Sequence, residues 1–284
     1  MMRKIGVVGA GLMGSEIAYV IASHMDAQVI VRVKSEDAIN RGRGIIERVA
    51  SKAVQKGKAT EEEKNTWLGR LSFTTQMEDL ARCEIVVEAV SENVDLKKQV
   101  FAELDAVCQS AQVVGSNTSG ISITQIAAAT KNPERVIGVH FFNPASVMKL
   151  VELVRGLETS DETLTKAREF CHEIGKETIV VKDFPGFLTT RVGQAFMAEA
   201  IRCLEQGLAT PEDIDKGMRL AFNHPMGPLE LCDLIGLDTE LLIQESLAKQ
   251  YGDHFSPSPL LRQFVAAGRL GRKTGRGFFD YSKK

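Results

Sequence analysis

Up to Val181 the chain alternates short apolar runs with longer stretches whose apolar positions recur every three or four residues. Ile5-Gly6-Val7-Val8 has the pattern of a buried strand, and Ile17, Val20, Ile21 and Met25 after it share one side of a helix. Residues 28–33 predict a second strand. The charged, amphipathic stretch 36–70 predicts helix. A strand at 84–89, a helix at 94–107, a strand at 113–115, a short helix at 122–129 and a strand at 136–140 follow. Two further strands, 150–154 and 178–181, flank a helix at 161–174. Strands that alternate with helices predict an α/β fold, doubly wound around a mostly parallel sheet.

The pattern changes after Val181. Asp183-Phe184-Pro185-Gly186 is a turn, in which proline restricts both itself and its predecessor. Leu188, Val192, Ala195, Phe196, Glu199 and Cys203 then share one helical face. Thr210-Pro211-Glu212-Asp213 carries an N-cap candidate, proline at the first helical position and an acid at the third, which marks a helix start. Helices also fit 237–250 and 259–268, and no strand is convincing before the tail. The boundaries predicted are 1–185 for the α/β domain and 186–284 for a smaller, all-helical one.

Composition narrows the function. The 35 Lys and Arg against 37 Asp and Glu leave a net charge of −2, which argues against a polyanion-coating, nucleic-acid-binding protein. Five cysteines, Cys83, Cys108, Cys171, Cys203 and Cys232, form no CxxC pair, so neither a disulfide framework nor a metal site is expected. A reducing compartment, the cytoplasm, is the plain reading. The strand-like run from Ile5 leaves no room for a signal peptide. Glu16 and Asp26 interrupt the apolar N-terminal stretch, and the uncharged run 109–130 is rich in Gln, Asn, Ser and Thr, so no membrane span is expected.

Gly9-Ala10-Gly11-Leu12-Met13-Gly14 lies between a strand and a helix, within a βαβ unit. In that context the glycines serve a tight turn, a close backbone approach to a pyrophosphate and helix–strand packing. The helix N-terminus offers its free N–H groups and positive dipole end to the phosphates. A Rossmann-type dinucleotide-binding domain is therefore predicted for 1–185. Such a fingerprint ends in an acid at the end of the second strand, which binds the ribose hydroxyls of NAD. Here that place reads Val33-Lys34-Ser35, with Glu36 and Asp37 late. NAD is expected, and NADP is admitted because Val33 cannot repel a 2′-phosphate while Lys34 can attract it.

Two further segments end strands at the same edge of the sheet. These are Ser116-Asn117-Thr118-Ser119 and His140-Phe141-Phe142-Asn143-Pro144. A histidine there, with a hydroxyl donor nearby, suits abstraction of a proton from an alcohol. Glu152, inside the apolar run Leu150-Val151-Glu152-Leu153-Val154, needs a partner in that setting, and an imidazole is a natural one.

These segments, together with Val87-Glu88-Ala89, Met148-Lys149-Leu150-Val151-Glu152, Asp183-Phe184-Pro185-Gly186-Phe187, Asn223-His224-Pro225-Met226-Gly227-Pro228 and Gly271-Arg272-Lys273-Thr274-Gly275, make the chain resemble the 3-hydroxyacyl-CoA dehydrogenase family over essentially its whole length. Among its members the short bacterial 3-hydroxybutyryl-CoA dehydrogenases are the most similar. The resemblance implies that His140 is the general base, Glu152 its orienting partner and Ser119 the hydroxyl that binds the substrate oxygen. It places Glu92, Lys97 and Asn143 around the nicotinamide ribose, and Lys273 on the cofactor side. Lys52 and Lys56 resemble lysines that meet the CoA phosphates. A homodimer built on the helical domain is implied as well.

Three positions depart from the family pattern. Val33 replaces the ribose-binding acid. Thr190 stands where an asparagine donates to the thioester carbonyl. Glu16 stands where glycine is common, in what the sequence predicts to be the first turn of the phosphate-binding helix. These departures leave two alternatives open beside a 3-hydroxyacyl-CoA dehydrogenase. One is a dehydrogenase of a non-CoA hydroxy acid; the other is a nucleotide-binding protein with weak or lost catalysis.

Overall fold

The structure, a computed structural model, describes residues 2–282. The chain divides into two compact units, Met1–Phe184 and Pro185–Lys284. The first opens with β1 (Arg3–Val8), α1 (Leu12–His24), β2 (Ala27–Arg32), α2 (Glu36–Gln55), α3 (Glu61–Gly69), β3 (Leu71–Thr74), β4 (Ile85–Glu88) and α4 (Val94–Val107). It continues with β5 (Val113–Ser116), α5 (Ile123–Ala127), β6 (Val136–Phe141), β7 (Leu150–Arg155), α6 (Asp161–Glu173) and β8 (Glu177–Lys182).

The eight strands form one sheet in the order β3-β2-β1-β4-β5-β6-β7-β8. Every neighbouring pair is parallel except β6 and β7. The predicted mostly parallel, doubly wound sheet is thus present, and its one antiparallel pair is a hairpin closed by residues 142–149. The central strands are apolar on both faces because helices cover both. Ile5, Val7, Val29, Val31, Val87, Ile137 and Val139 are buried with Ile17 and Ile21 of α1 in the main core. Since the parallel strands share a direction, β1, β4, β5 and β6 all deliver their last residues to one edge.

Three local expectations are corrected. The stretch 36–70 is two helices, not one. Gly57 turns the chain at φ +67°, and Thr60 with Glu63 builds a reciprocal capping box that starts α3. Lys56 consequently caps α2 rather than lying within it. The edge strand β3 has no counterpart in the sequence reading, because the alternation of Leu71-Ser72-Phe73-Thr74 spans only four residues and follows directly on a helical stretch. Glu16 is the fifth residue of α1, past its first turn, which contains no acid.

The second unit contains α7 (Thr189–Glu205), α8 (Pro211–Phe222), α9 (Pro228–Ile235), α10 (Leu237–Tyr251) and α11 (Pro259–Ala266). Its core gathers Met197, Ile201, Leu229, Leu237, Leu261 and Phe278. The buried residues of α7 are Gln194, Met197, Ala198, Ala200 and Ile201, a face rotated from the predicted one; Leu188 and Val192 remain exposed. The helix is apolar on two sides, so periodicity alone could not choose between them. Buried carboxylates join its segments. Asp215 of α8 accepts the N–H groups of Leu229 (2.9 Å) and Glu230 (2.8 Å) at the start of α9. Asp233 accepts those of Phe278 and Phe279, both at 2.9 Å, and thereby holds the tail. Among the described residues no helix is long and apolar enough to cross a membrane.

Glu240 of α10 is fully buried with neither carboxylate oxygen hydrogen-bonded, and that burial pushes its carboxyl up to about 7. A carboxyl whose folded pKa exceeds its unfolded value favours the folded state in its protonated form. The stability it confers is present below the unfolded value of 4.5 and is lost as pH rises towards 7. Across that interval the loss is on the order of 3 kcal/mol. Glu240→Gln should therefore leave stability at pH 5 nearly unchanged and raise it at pH 8, as measured by denaturant unfolding. Equal effects at both pH values would show that Glu240 does not titrate in this range.

Candidate functional site

The carboxyl edge of the sheet is held together by a carboxylate with no exposure, Glu88, the last residue of β4. One of its oxygens accepts from the backbone N–H of Val90 at 2.6 Å and from Lys97 Nζ at 2.7 Å. The other accepts from Ser116 Oγ at 2.7 Å, at the end of β5. Lys97, one turn into α4, is itself only 1% exposed. A buried charge needs such pairing, so a charged residue inside the apolar run of β4 was the sequence signal for this knot. Sequence reasoning assigned Glu88 no role. Lys97 also lies 3.4 Å from Glu92, which is half in solvent. Glu92 accepts from Thr118 Oγ1 at 2.5 Å and from the N–H of Ser119 at 3.0 Å. Asn117 Oδ1 accepts the N–H of Phe141 at 2.9 Å and ties the same loop to the end of β6. The structure thus brings Glu92, Lys97 and Ser119 into one network, with Glu92 and Ser119 on its outer side and Lys97 beneath.

His140 and Glu152 stand directly opposite each other on β6 and β7. His140 Nδ1 is 3.0 Å from Glu152 Oε2, with the histidine side chain 6% exposed and the glutamate fully buried. A one-residue slip would turn the two side chains to opposite faces, so the antiparallel register makes the pair. The tautomer that donates Nδ1–H to the carboxylate carries its basic lone pair on Nε2. The Phe142 ring packs 4.6 Å from the imidazole. Asn143 follows on the exposed hairpin loop.

The turn after β1 fits a dinucleotide. Gly9 has φ +103°, and a Cβ there would lie 2.6 Å from the Ala89 carbonyl oxygen. A Cβ on Gly14 would lie 2.0 Å from the oxygen of Gly9. Around Gly11, by contrast, nothing stands within 4 Å of that position, so open space lies beside Gly11 at the start of α1. Ala10 packs beneath α2, where a Cβ on Gly42 would come within 2.6 Å of its own.

At the end of β2, Val33 turns its side chain into the core and presents no polar group to a ribose. Lys34 is exposed, and Ser35 caps α2 by accepting from the N–H of Ala38. Lys52 and Lys56 are both exposed at the far end of α2, one turn apart. In the helical unit, Thr190 is the second residue of α7. Lys273 Nζ is paired with both oxygens of Asp238, at 2.5 and 2.6 Å.

The family described as 3-hydroxyacyl-CoA dehydrogenase, NAD binding domain, matches residues 4–184. Its C-terminal domain matches residues 186–281. A probable 3-hydroxybutyryl-CoA dehydrogenase of Deinococcus radiodurans is 46% identical over 98% of this chain and 100% of its own. The 3-hydroxybutyryl-CoA dehydrogenase of Bradyrhizobium diazoefficiens is 44% identical over 99% and 96%. The crystal structure of (S)-3-hydroxybutyryl-CoA dehydrogenase from Ralstonia eutropha covers 99% of this chain and all of its own, with a TM-score of 0.94 and 43% identity. With matches that span both units from end to end, this chain belongs to the 3-hydroxyacyl-CoA dehydrogenase family.

Proposed function

We propose that the protein catalyses the reversible, NAD(P)-dependent oxidation of (S)-3-hydroxyacyl-CoA, with 3-hydroxybutyryl-CoA as substrate and acetoacetyl-CoA as product. The observation that carries this reading is the buried His140–Glu152 pair, set at the same sheet edge as a turn shaped for a dinucleotide. Oxidation of the 3-hydroxyl removes a proton from oxygen and a hydride from C3. His140 Nε2 takes the proton, and Glu152 stabilises the imidazolium that forms. A dinucleotide held at the turn after β1 would supply the nicotinamide as hydride acceptor. Ser119 donates its hydroxyl to the substrate oxygen, and Thr190 replaces asparagine as donor to the thioester carbonyl.

The backbone of Gly9, Ala10, Gly11, Leu12, Met13 and Gly14 seats the pyrophosphate. Glu92 and Asn143 meet the nicotinamide ribose, with Lys97 fixing Glu92 from below, and Lys273 supports the cofactor side. Lys52 and Lys56 meet the CoA phosphates as point charges. Exposed apolar residues of the helical unit, Val192, Leu220 and Phe222 among them, are of the kind that a second copy covers in a homodimer. Five unpaired cysteines support a cytoplasmic setting.

The direct test is steady-state reduction of acetoacetyl-CoA, with free acetoacetate as the rival substrate. Turnover of the free acid as efficient as that of the CoA ester would assign the protein to hydroxy acids instead. Cofactor binding without turnover of either would mark lost catalysis. His140→Ala should lower kcat by at least about 100-fold with cofactor affinity barely changed; a variant near wild-type kcat would remove His140 from the mechanism.

Replacing Lys52 and Lys56 together by alanine should raise KM for the acyl-CoA at nearly constant kcat. It should also flatten the dependence of KM on salt, since exposed charges are screened. An unchanged KM at low salt would return both lysines to a solvated helix face.

For the cofactor, a buried Val33 neither binds the ribose diol nor repels a 2′-phosphate. NADH and NADPH efficiencies are accordingly expected within about tenfold, or ~1.4 kcal/mol. Lys34→Ala should lower the NADPH value severalfold and spare that of NADH. A preference for NADH of a thousandfold or more would mean that another residue reads the ribose, with Glu36 the first to replace.

A further inference from the structure

Glu16 is one of the family departures, and its surroundings assign it a task. Its side chain is buried in the second turn of α1, the helix whose N-terminus faces the dinucleotide turn. It does not face solvent. Oε2 accepts two hydrogen bonds from one residue of the β6–β7 loop: the backbone N–H of Ser146 at 3.0 Å and Ser146 Oγ at 3.1 Å. The same loop is also held by Lys176, just before β8, which is buried as well. Lys176 Nζ donates to the carbonyl oxygens of Ala145 (2.6 Å) and Met148 (2.8 Å). A buried anion and a buried cation thus grip opposite polar groups of one short stretch of backbone, with the fully buried Ala145 between them. The charge of Glu16 also helps Lys176 keep its proton against the desolvation that lowers its pKa.

This loop closes the hairpin whose two strands carry His140 and Glu152. Its own internal hydrogen bonds are two, from the N–H groups of Val147 and Met148 to the oxygen of Pro144. Asn143, Val147 and Met148 on its outer side are exposed. A hairpin tip with so little local support takes its position from what it is tied to. Here one tie runs to the nucleotide-binding helix.

We propose that Glu16, with Lys176 opposite, is a positioning residue: by binding Ser146 it couples the His140–Glu152 hairpin and Asn143 to α1, so that the base and the dinucleotide seat form one rigid frame. The carboxylate that looks ill placed beside an anionic ligand is thereby spent on the loop. The pyrophosphate seat itself depends on the packing of Gly9 and Gly14 and does not need Glu16.

The proposal rests on the dehydrogenase reading for its kinetic consequence but not for its structural one, so its test has two arms. In the free protein, hydrogen–deuterium exchange of residues 142–149 should accelerate at least about tenfold in Glu16→Ala. It should stay near wild type in Glu16→Gln, whose carbonyl oxygen can accept the same two bonds. In turnover of acetoacetyl-CoA, Glu16→Ala should lower kcat about five- to tenfold, with the dissociation constant of NADH within twofold of wild type and Glu16→Gln restoring kcat. Ser146→Ala, which removes one of the two donors and is the milder change should Glu16→Ala not fold, should speed loop exchange in the wild-type background and have no further effect beside Glu16→Ala. Unchanged exchange and unchanged kcat in Glu16→Ala would overturn the proposal, as would equal effects of Ser146→Ala in both backgrounds. A wild-type protein without turnover would instead refute the dehydrogenase reading, and the exchange arm would still decide the role of Glu16.

Discussion

Glu88 ends its strand with no access to water, and its carboxylate is satisfied by hydrogens drawn from three segments: the N–H of Val90, the ammonium of Lys97 and the hydroxyl of Ser116. Removing the ionic partner of a buried carboxylate costs about 3–5 kcal/mol, and its remaining acceptor sites need the N–H and the hydroxyl as well, so these segments cannot part independently. The loop after β4, the first turn of α4 and the end of β5 are fixed to one another by that demand. Glu92, Thr118 and Ser119 then assemble on top of them. The outer polar network of the site exists because an inner charge had to be neutralised.

The same logic recurs twice along the sheet edge. Glu152 is buried in β7 and faces His140, which sets both the tautomer of the imidazole and its orientation. Glu16 is buried in α1 and takes the hydrogens of Ser146. Glu152 orients a side chain across a strand pair, whereas Glu16 reaches a loop residue far away in sequence and converts a flexible connection into part of a frame. Open α/β sheets place ligands at this edge because the strands end there; in this chain the buried acids make the edge stiff enough for chemistry that depends on placing a proton acceptor and a cofactor together.

Two of the departures from the family pattern, Val33 and Glu16, are of different kinds. Val33 is a loss: a core side chain stands where a polar group would read a ribose. Glu16 is an exchange: a charge enters the interior, and a serine N–H and hydroxyl meet it. Only the second kind carries its own compensation within the described residues, and only the second changes how parts of the first unit are linked. Glu240 in the helical unit belongs with neither, being a buried acid whose protonation ties stability to pH.

Much of the architecture was legible in the sequence by itself. Apolar runs buried on both faces read as central strands, and the Gly9-Ala10-Gly11-Leu12-Met13-Gly14 turn read as a dinucleotide seat because its glycine spacing falls between a strand and a helix. His140 and Glu152 could be paired from chemistry, since a carboxylate in an apolar strand demands a partner. What needed the tertiary structure were the choices that local pattern leaves degenerate. The face of α7 that is buried, the four-residue edge strand β3 and the antiparallel turn of β7 are decided by neighbours distant in sequence. So are the partners of Glu88 and Glu16: sequence declares that a buried charge must be satisfied, but which N–H or hydroxyl reaches it follows from the fold that brings residues 16 and 146, or 88 and 116, within 3 Å or so of each other.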